Sequence, residues 1–170
     1  MSLLVVSAST ACSAQVNDTI SALTNSVGEY QVLDLAAMHI EPCRGCYVCM
    51  LKTPGRCCIR DDTPELIRAW VQSDIIILIV DTALNFVDAK GKNVIDRLFL
   101  LANINLCYRD GEILHIPRYK RSPQLTLLYT GHADPNSMNI WIDRVAKHLH
   151  ATSLGAMPIT NASEVGQWIL

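Results

Sequence analysis

Short apolar runs alternate with amphipathic stretches along this chain. Residues 3–6, 75–80 and 124–129 are rich in aliphatic and β-branched side chains, and the run at 75–80 is unbroken. Such runs predict strands buried on both faces of a parallel sheet. Apolar and polar positions alternate over residues 30–35, which predicts another strand, and a last strand is predicted at 154–159.

Apolar residues recur at helical spacing between these runs. One such stretch stops near Gly28, and a second opens at Asp62 with Pro64 in its first turn. A third helix is predicted from about residue 88 to residue 106, followed by a turn-rich excursion at 108–112. Since residues 94–106 are apolar almost all round, we expect this helix to be buried against the sheet and against another subunit. A fourth helix follows around residues 140–149.

Five strands alternating with four helices predict an open, doubly wound α/β sheet. The chain of 170 residues has the length of a single domain, 1–170, and carries a cysteine-rich loop insertion at 36–61. Right-handed crossovers bring the exit loops 7–13, 81–86 and 130–134 to one edge of the sheet. Ligands of such sheets bind at that edge, where the winding direction reverses.

The insertion concentrates thiols. Five of the seven cysteines lie in it: Cys43, Cys46, Cys49, Cys57 and Cys58. Spacings of C-x-x-C-x-x-C, with Cys57 further on, can aim four thiols at one point, as metal and iron–sulfur sites require. A zinc site, a redox dithiol and uncoordinated thiols in a subunit contact are the alternatives. Cys58 is an additional candidate ligand or a free thiol.

Net charge and composition exclude several classes of partner. A formal charge of −2 argues against a general attraction to nucleic acid or to an anionic membrane. The apolar run at 3–6 is too short for a signal peptide or a membrane span, so we expect a cytoplasmic protein. In a reducing compartment, clustered cysteines favour metal binding or redox chemistry over a disulfide framework.

The first exit loop is made of small and hydroxyl-bearing residues. Backbone amides at the start of the following helix, with the hydroxyls of Ser9, Thr10 and Ser13, could hold a phosphate. An ordinary polar turn capped by Ser and Thr is the alternative. The loop contains no glycine, so it matches neither a Walker loop nor a G-x-G-x-x-G fingerprint.

Three segments carry a family resemblance: Pro42-Cys43-x-Gly45-Cys46-x-x-Cys49, Gly55-x-Cys57-x-x-x-Asp61-Asp62, and Ile95-Asp96-Arg97. With the order of elements, they resemble the flavodoxin-like NAD(P)H-dependent reductases that bind FMN, and within them the iron–sulfur flavoproteins. The resemblance implies a five-stranded parallel sheet of order 2-1-3-4-5 with helices on both faces. It also implies a flavoprotein oxidoreductase that is a homodimer or homotetramer. FMN would take hydride from NAD(P)H and reduce a small-molecule electron acceptor: a quinone, a nitro or azo compound, or free flavin.

The resemblance also implies site residues. No catalytic side chain is expected, because the cofactor carries the chemistry. The cysteines matching the motif for a four-iron four-sulfur cluster are Cys43, Cys46, Cys49 and Cys57. The residues expected to bind the flavin are Ser7, Ser9, Thr10, Ser13, Thr82, Ala83, Leu84, Asn85, Phe86, Thr130, Gly131 and His132.

The chain departs from the family pattern in two loops. Relatives read Gly-Ser-Pro-Arg where this chain reads Ala8-Ser9-Thr10-Ala11, and the arginine that pairs with phosphate is absent. Asp81-Thr82-Ala83-Leu84 replaces Ser-Pro-x-Tyr, which puts a carboxylate near a phosphate or the flavin ring. Like charges repel. Two alternatives therefore stand beside the reductase: an electron-transfer protein with a cysteine-ligated cluster, and a binding or regulatory module without cofactor.

Overall fold

The computed structural model describes residues 1–10, 13–25, 27–109 and 111–169. The strands are β1 Ser2–Ser7, β2 Glu29–Asp34, β3 Ile75–Ala83, β4 Phe86–Val87, β5 Ala102–Arg109, β6 Glu112–Pro117, β7 Gln124–Thr130 and β8 Thr152–Pro158. The helices are α1 Ser13–Thr24, α2 Val48–Leu51, α3 Thr63–Gln72, α4 Ala89–Arg97, α5 Pro135–His148 and α6 Ala162–Ile169, and 3-10 turns span Leu98–Leu101 and Ile159–Asn161.

Five parallel strands form the central sheet in the order β2-β1-β3-β7-β8. Counted along the chain as parallel strands, this is the predicted order 2-1-3-4-5, and the α/β fold is confirmed. Val5 of β1 lies between Val32 of β2 and Ile77 of β3, which fixes the register at the centre of the sheet. The apolar runs of β1 and β3 are buried on both faces because helices cover both sides.

Alternate residues of the central strands feed two separate cores. Leu4 and Leu78 face a core that includes Leu66 of α3 and Ile142 of α5. Their neighbours Val5, Ile77 and Ile79 face the other side, where the core includes residues of α1 and α6. Because alternating side chains bury both faces of the sheet, the faces are covered by helices. The exit loops meet at the edge formed by the carboxyl ends of the parallel strands.

The predicted helix over residues 88–106 is wrong in its second half. Helix α4 ends at Arg97, a 3-10 turn follows, and Ala102–Arg109 is strand β5, paired antiparallel with β6. Gly111, with φ +80°, lies in the turn between them, and Asp110 lies outside the described residues. The apolar run is compatible with a helix or with a strand, and its pairing with β6 selects the strand.

The second exit loop is also different from the prediction. Strand β3 continues to Ala83 and pairs antiparallel with β4, so Asp81 to Phe86 form a tight hairpin instead of an open loop. Its two turn residues, Leu84 and Asn85, have φ of 52° and 63°. Two consecutive positive φ values are the geometry of a two-residue type I′ hairpin turn. Within the described ranges, no helix is long and apolar enough to cross a membrane.

Candidate functional site at the carboxyl edge of the sheet

Asp81 joins the three exit loops at the end of β3. One carboxylate oxygen accepts hydrogen bonds from the Ser9 hydroxyl and, at 2.6 Å, from the Thr130 hydroxyl. The other accepts from the Thr10 backbone amide at 2.7 Å and from the Thr10 hydroxyl at 3.2 Å. One acidic side chain therefore ties the loop after β1 and the end of β7 to β3.

Two further contacts hold the second and third loops together. The Thr82 hydroxyl donates to the Thr130 carbonyl oxygen at 2.6 Å, and the Asp134 backbone amide donates to Asn85 Oδ1 at 2.7 Å. Gly131 has φ +77°, and a Cβ there would lie 2.7 Å from Thr82 Oγ1. The close approach of the two loops thus requires glycine at this position.

Other predicted flavin-binding residues are placed differently. Ser7 is buried, and its carbonyl oxygen accepts from the Leu35 amide at 2.9 Å. Leu84 is fully exposed at the tip of the β3–β4 hairpin, and the adjacent Phe86 ring packs edge-on against Trp141 with ring centroids 5.1 Å apart. Ala83 and His132 are exposed. Ser13 begins α1, and its side chain lies outside the described part of the chain.

The donors of the first exit loop do not fit the phosphate of FMN as they stand. A phosphate needs amide and hydroxyl donors, and the Ser9 hydroxyl and the Thr10 amide and hydroxyl are already directed at the Asp81 carboxylate. The same carboxylate would face the phosphate with a like charge. The described donors of this edge are therefore not free to hold a phosphate, although the loops themselves meet as predicted.

The cysteine loop packs beside the sheet, fastened by a buried ion pair. The Arg97 side chain is 2% exposed and that of Asp61 is 0% exposed, and Arg97 Nη2 donates to both Asp61 oxygens at 2.9 and 2.8 Å. Arg97 also donates to Thr63 Oγ1 at 2.9 and 2.7 Å and to Cys57 Sγ at 3.2 Å. The Glu41 amide donates to Asp61 at 3.0 Å, so both ends of the loop are held.

The cysteine sulfurs do not converge on a metal-binding point among the described residues, where no group of three or more candidate ligands could hold a metal ion. Cys57 Sγ accepts from Arg97 and, at 3.4 Å, from the Ile59 amide. Cys46 Sγ lies 3.7 Å from Cys58 Sγ. Burial raises the pKa of the Cys49 thiol, and the neighbouring Cys57, Cys43 and Cys46 raise it further. The predicted ligands are thus neighbours, but the arrangement does not fit a cluster as it stands.

The Cys46 and Cys58 thiols differ in acidity. The Val48 backbone amide, and then the hydrogen bond with Cys58, lower the pKa of Cys46 below its ordinary value. The same hydrogen bond raises the pKa of Cys58. Both residues are exposed. Because the thiolate is the reactive form, Cys46 combines exposure with a favoured thiolate.

We expect iodoacetamide, in limiting amount at neutral pH, to alkylate Cys46 several-fold faster than Cys49. Cys49 is half-buried and its pKa is raised, whereas Cys46 is exposed and its pKa is lowered. Fragment mass spectrometry of the peptide containing both residues measures the ratio. In the control variant Cys58→Ala the ratio should fall, because Cys46 loses one of the groups that stabilise its thiolate. Equal rates in the unmodified chain would contradict the prediction.

No family model matches the chain. It is similar to an iron–sulfur flavoprotein of Methanocaldococcus jannaschii, with 32% identity over 82 residues, 48% of this chain and 42% of the relative. An iron–sulfur flavoprotein of Archaeoglobus fulgidus matches with 34% identity over 86 residues, 51% of this chain and 38% of the relative. The matches therefore span less than half the length of either relative.

Among solved structures, the NAD(P)H:quinone oxidoreductase of Methanothermobacter marburgensis superposes with a TM-score of 0.69 and 14% identity. The alignment covers 100% of this chain and 99% of that one. The chain has the flavodoxin-like fold. The flavodoxin-like sheet explains why the loops after β1, β3 and β7 meet at one edge, since its topology places the switch point there.

Two features of the site were missed at the level of sequence. The sequence predicts that Asp81 disturbs a phosphate site, but it does not predict the bonds of Asp81 to three separate hydroxyls. Ile95-Asp96-Arg97 and Asp61-Asp62 were recognised only as parts of a motif, and their joint role is the buried Arg97–Asp61 pair. A charged residue in an apolar helical stretch, as Arg97 is, was the available signal for a buried partner.

Proposed function

We propose that this protein is a flavin-dependent oxidoreductase that takes electrons from NAD(P)H and passes them to a small acceptor. A quinone, a nitro or azo compound, or free flavin fits this class. Two observations together carry the proposal. The flavodoxin-like fold extends over the whole of this chain, and about half of the chain is 32% or 34% identical to proteins named iron–sulfur flavoproteins. The contacts among the three exit loops at the carboxyl edge support placing the flavin there, since ligands of such sheets bind at that edge.

A bound flavin supplies hydride acceptance and onward electron transfer by its own chemistry. The role of the protein's own residues would be to bind and orient this flavin. Thr82 and Gly131 hold the second and third loops in contact, and Asn85 fixes the hairpin to Asp134. FMN is the flavin implied by the sequence resemblance, and the Asp81 carboxylate opposes its phosphate. No side chain of the edge is assigned a proton transfer.

An absorption spectrum of protein purified without oxygen, with iron and zinc assayed on the same sample, tests the proposal. Bound flavin gives bands at about 375 and about 450 nm that NADPH or NADH bleaches. If the protein stays colourless and metal-free and binds no added flavin, the proposed enzymatic function is wrong. The remaining interpretation is then a flavodoxin-like binding or regulatory module.

The second candidate is an electron-transfer protein whose cysteines hold a four-iron four-sulfur cluster. Similarity to two proteins named iron–sulfur flavoproteins favours it, as does the proximity of Cys43, Cys46, Cys49 and Cys57. Because these sulfurs do not converge as they stand, cluster binding requires the loop to rearrange. Stoichiometric iron and acid-labile sulfide would support this candidate, and iron-free protein after anaerobic reconstitution would exclude it.

We also propose that the protein is a cytoplasmic homodimer or homotetramer. The β5–β6 hairpin carries exposed large apolar side chains: Ile104, Leu106, Tyr108, Ile113 and Ile116. Exposed apolar clusters of this kind mark interaction surfaces, and a two-stranded sheet is weakly stable alone. Light scattering after size exclusion should give a mass of about two or four times the 18.8 kDa of one chain. Leu106→Asp should shift the mass toward the monomer, whereas Ile140→Asp, at an exposed position of α5 away from the hairpin, serves as the control.

A further inference from the structure

Asp81 is a fixed negative charge in the place where a ligand would present its terminal group. Among the described residues of the sheet edge, one backbone amide and three hydroxyls donate to this carboxylate. In a flavodoxin-like sheet, donors of this kind beside a strand end and a helix start hold the anionic end of a ligand. In this protein the donors are instead engaged by the Asp81 carboxylate.

The three exit loops lack the side chains that are always cationic at neutral pH. None of the exit loops 7–13, 81–86 and 130–134 contains a lysine or an arginine. Phosphate groups in proteins are commonly held by such side chains in addition to backbone amides. A phosphate entering this edge would therefore have to displace the Asp81 carboxylate and then remain near it without a lysine or arginine from these loops to offset the repulsion.

We propose that Asp81 makes this edge selective for flavin without a terminal phosphate, so that riboflavin binds in preference to FMN. The inference rests on the proposed flavin-dependent function and deepens it. The ribityl chain of riboflavin ends in a hydroxyl group, which is uncharged and can donate a hydrogen bond to a carboxylate. This ribityl hydroxyl would take the place of one of the hydroxyls that donate to Asp81 already, those of Ser9, Thr10 and Thr130. FMN offers a dianion in place of that donor.

Flavin fluorescence titrations of the full chain with riboflavin and with FMN, at moderate ionic strength, measure the two affinities. The unmodified protein should bind riboflavin about tenfold more tightly than FMN or better, given the size of like-charge repulsion near a protein surface. Asp81→Ser removes the charge and frees the donors, so the preference should vanish or reverse through tighter FMN binding. Asp81→Asn, which keeps the side-chain shape, should move the ratio in the same direction.

Asp88→Asn is the matched control for overall charge. Asp88 caps α4 by accepting from the Gly91 amide at 2.8 Å, and its backbone amide donates to the Asp81 carbonyl oxygen. Since asparagine caps helices as well as aspartate does, this variant removes one negative charge near the same edge without disturbing the helix. Its ratio of riboflavin to FMN affinity should stay within about twofold of the unmodified ratio.

The outcomes separate the selectivity from the function. Equal affinities, or tighter FMN binding by the unmodified protein, would overturn the selectivity and leave the flavin-dependent function standing. An unchanged preference in both Asp81 variants, with circular dichroism showing that they fold, would also overturn the assignment to Asp81. If neither flavin binds the unmodified chain or the Asp81 variants, the proposed function fails and the selectivity with it.

Discussion

Arg97→Met should cost about 3–5 kcal/mol of the free energy of unfolding, because it leaves the Asp61 carboxylate buried without its charged partner. Both side chains are almost completely removed from solvent, and Arg97 also donates to Thr63 and Cys57. A small domain has only about 5–15 kcal/mol of stability in total, so the variant should be partly unfolded or unfold at low urea. Urea denaturation followed by circular dichroism measures the loss.

Two controls show whether the buried charge causes this loss. In the double variant Arg97→Met with Asp61→Asn, no uncompensated charge remains, so part of the stability should return. Lys92→Met breaks the exposed pair with Asp96 four residues on and should cost less than about 0.5 kcal/mol. A loss of the same small size in Arg97→Met would show that the loop does not depend on the buried pair.

The pH dependence of stability provides an independent check on the same pair. Burial raises the pKa of Asp61, but hydrogen bonds from Thr63 and Glu41 and the charge of Arg97 outweigh it and hold the pKa below its ordinary value. A lowered folded pKa adds stability that is present above the unfolded pKa, about 3.9, and is lost as the pH falls through the folded pKa. The loss below about pH 4 should be shallower in Asp61→Asn.

Gly131→Ala should cost about 2–5 kcal/mol of the free energy of unfolding and also disturb the sheet edge. A left-handed φ of +77° costs an alanine about 1–2 kcal/mol, and forcing a Cβ to 2.7 Å from Thr82 Oγ1 adds an overpacking cost of about 1–3 kcal/mol. The displaced Thr82 would lose its hydrogen bond to the Thr130 carbonyl oxygen. Thermal and urea denaturation give the stability, and flavin titration gives the effect on binding.

Gly111→Ala is the matched control for Gly131→Ala. Gly111 has φ +80°, but no atom lies within 4 Å of a Cβ built there, so only the conformational cost of about 1–2 kcal/mol applies. The difference between the two variants isolates the contact with Thr82. In a Thr82→Ala background, Gly131→Ala should cost less, since the obstructing hydroxyl is gone. Equal losses at Gly131 and Gly111 would show that the approach of the two loops imposes no steric demand.

Local pattern alone predicted most of the fold. The unbroken run at 75–80 became the central strand β3, and the runs at 3–6 and 124–129 became its neighbours β1 and β7. Asp134 caps α5 through the Ser137 amide, as a helix start of this kind requires. These features depend on side chains close together in sequence, so the sequence shows them directly.

Pairing between distant segments decided the rest. Residues 102–109 are apolar enough for a helix or a strand, and only the partner strand β6 selects the strand. The bond between Asp81 and Thr10 joins residues 71 positions apart, and the Arg97–Asp61 pair joins residues 36 apart.

Local sequence patterns specify the five parallel strands, the edge at which the exit loops meet, and the clustering of cysteines in one loop. Tertiary structure alone decided that Asp81 engages the donors of the first exit loop and that Cys57 faces Arg97. The physical reason is that periodicity and capping are local, whereas the partner of a buried charge is set by how the elements pack.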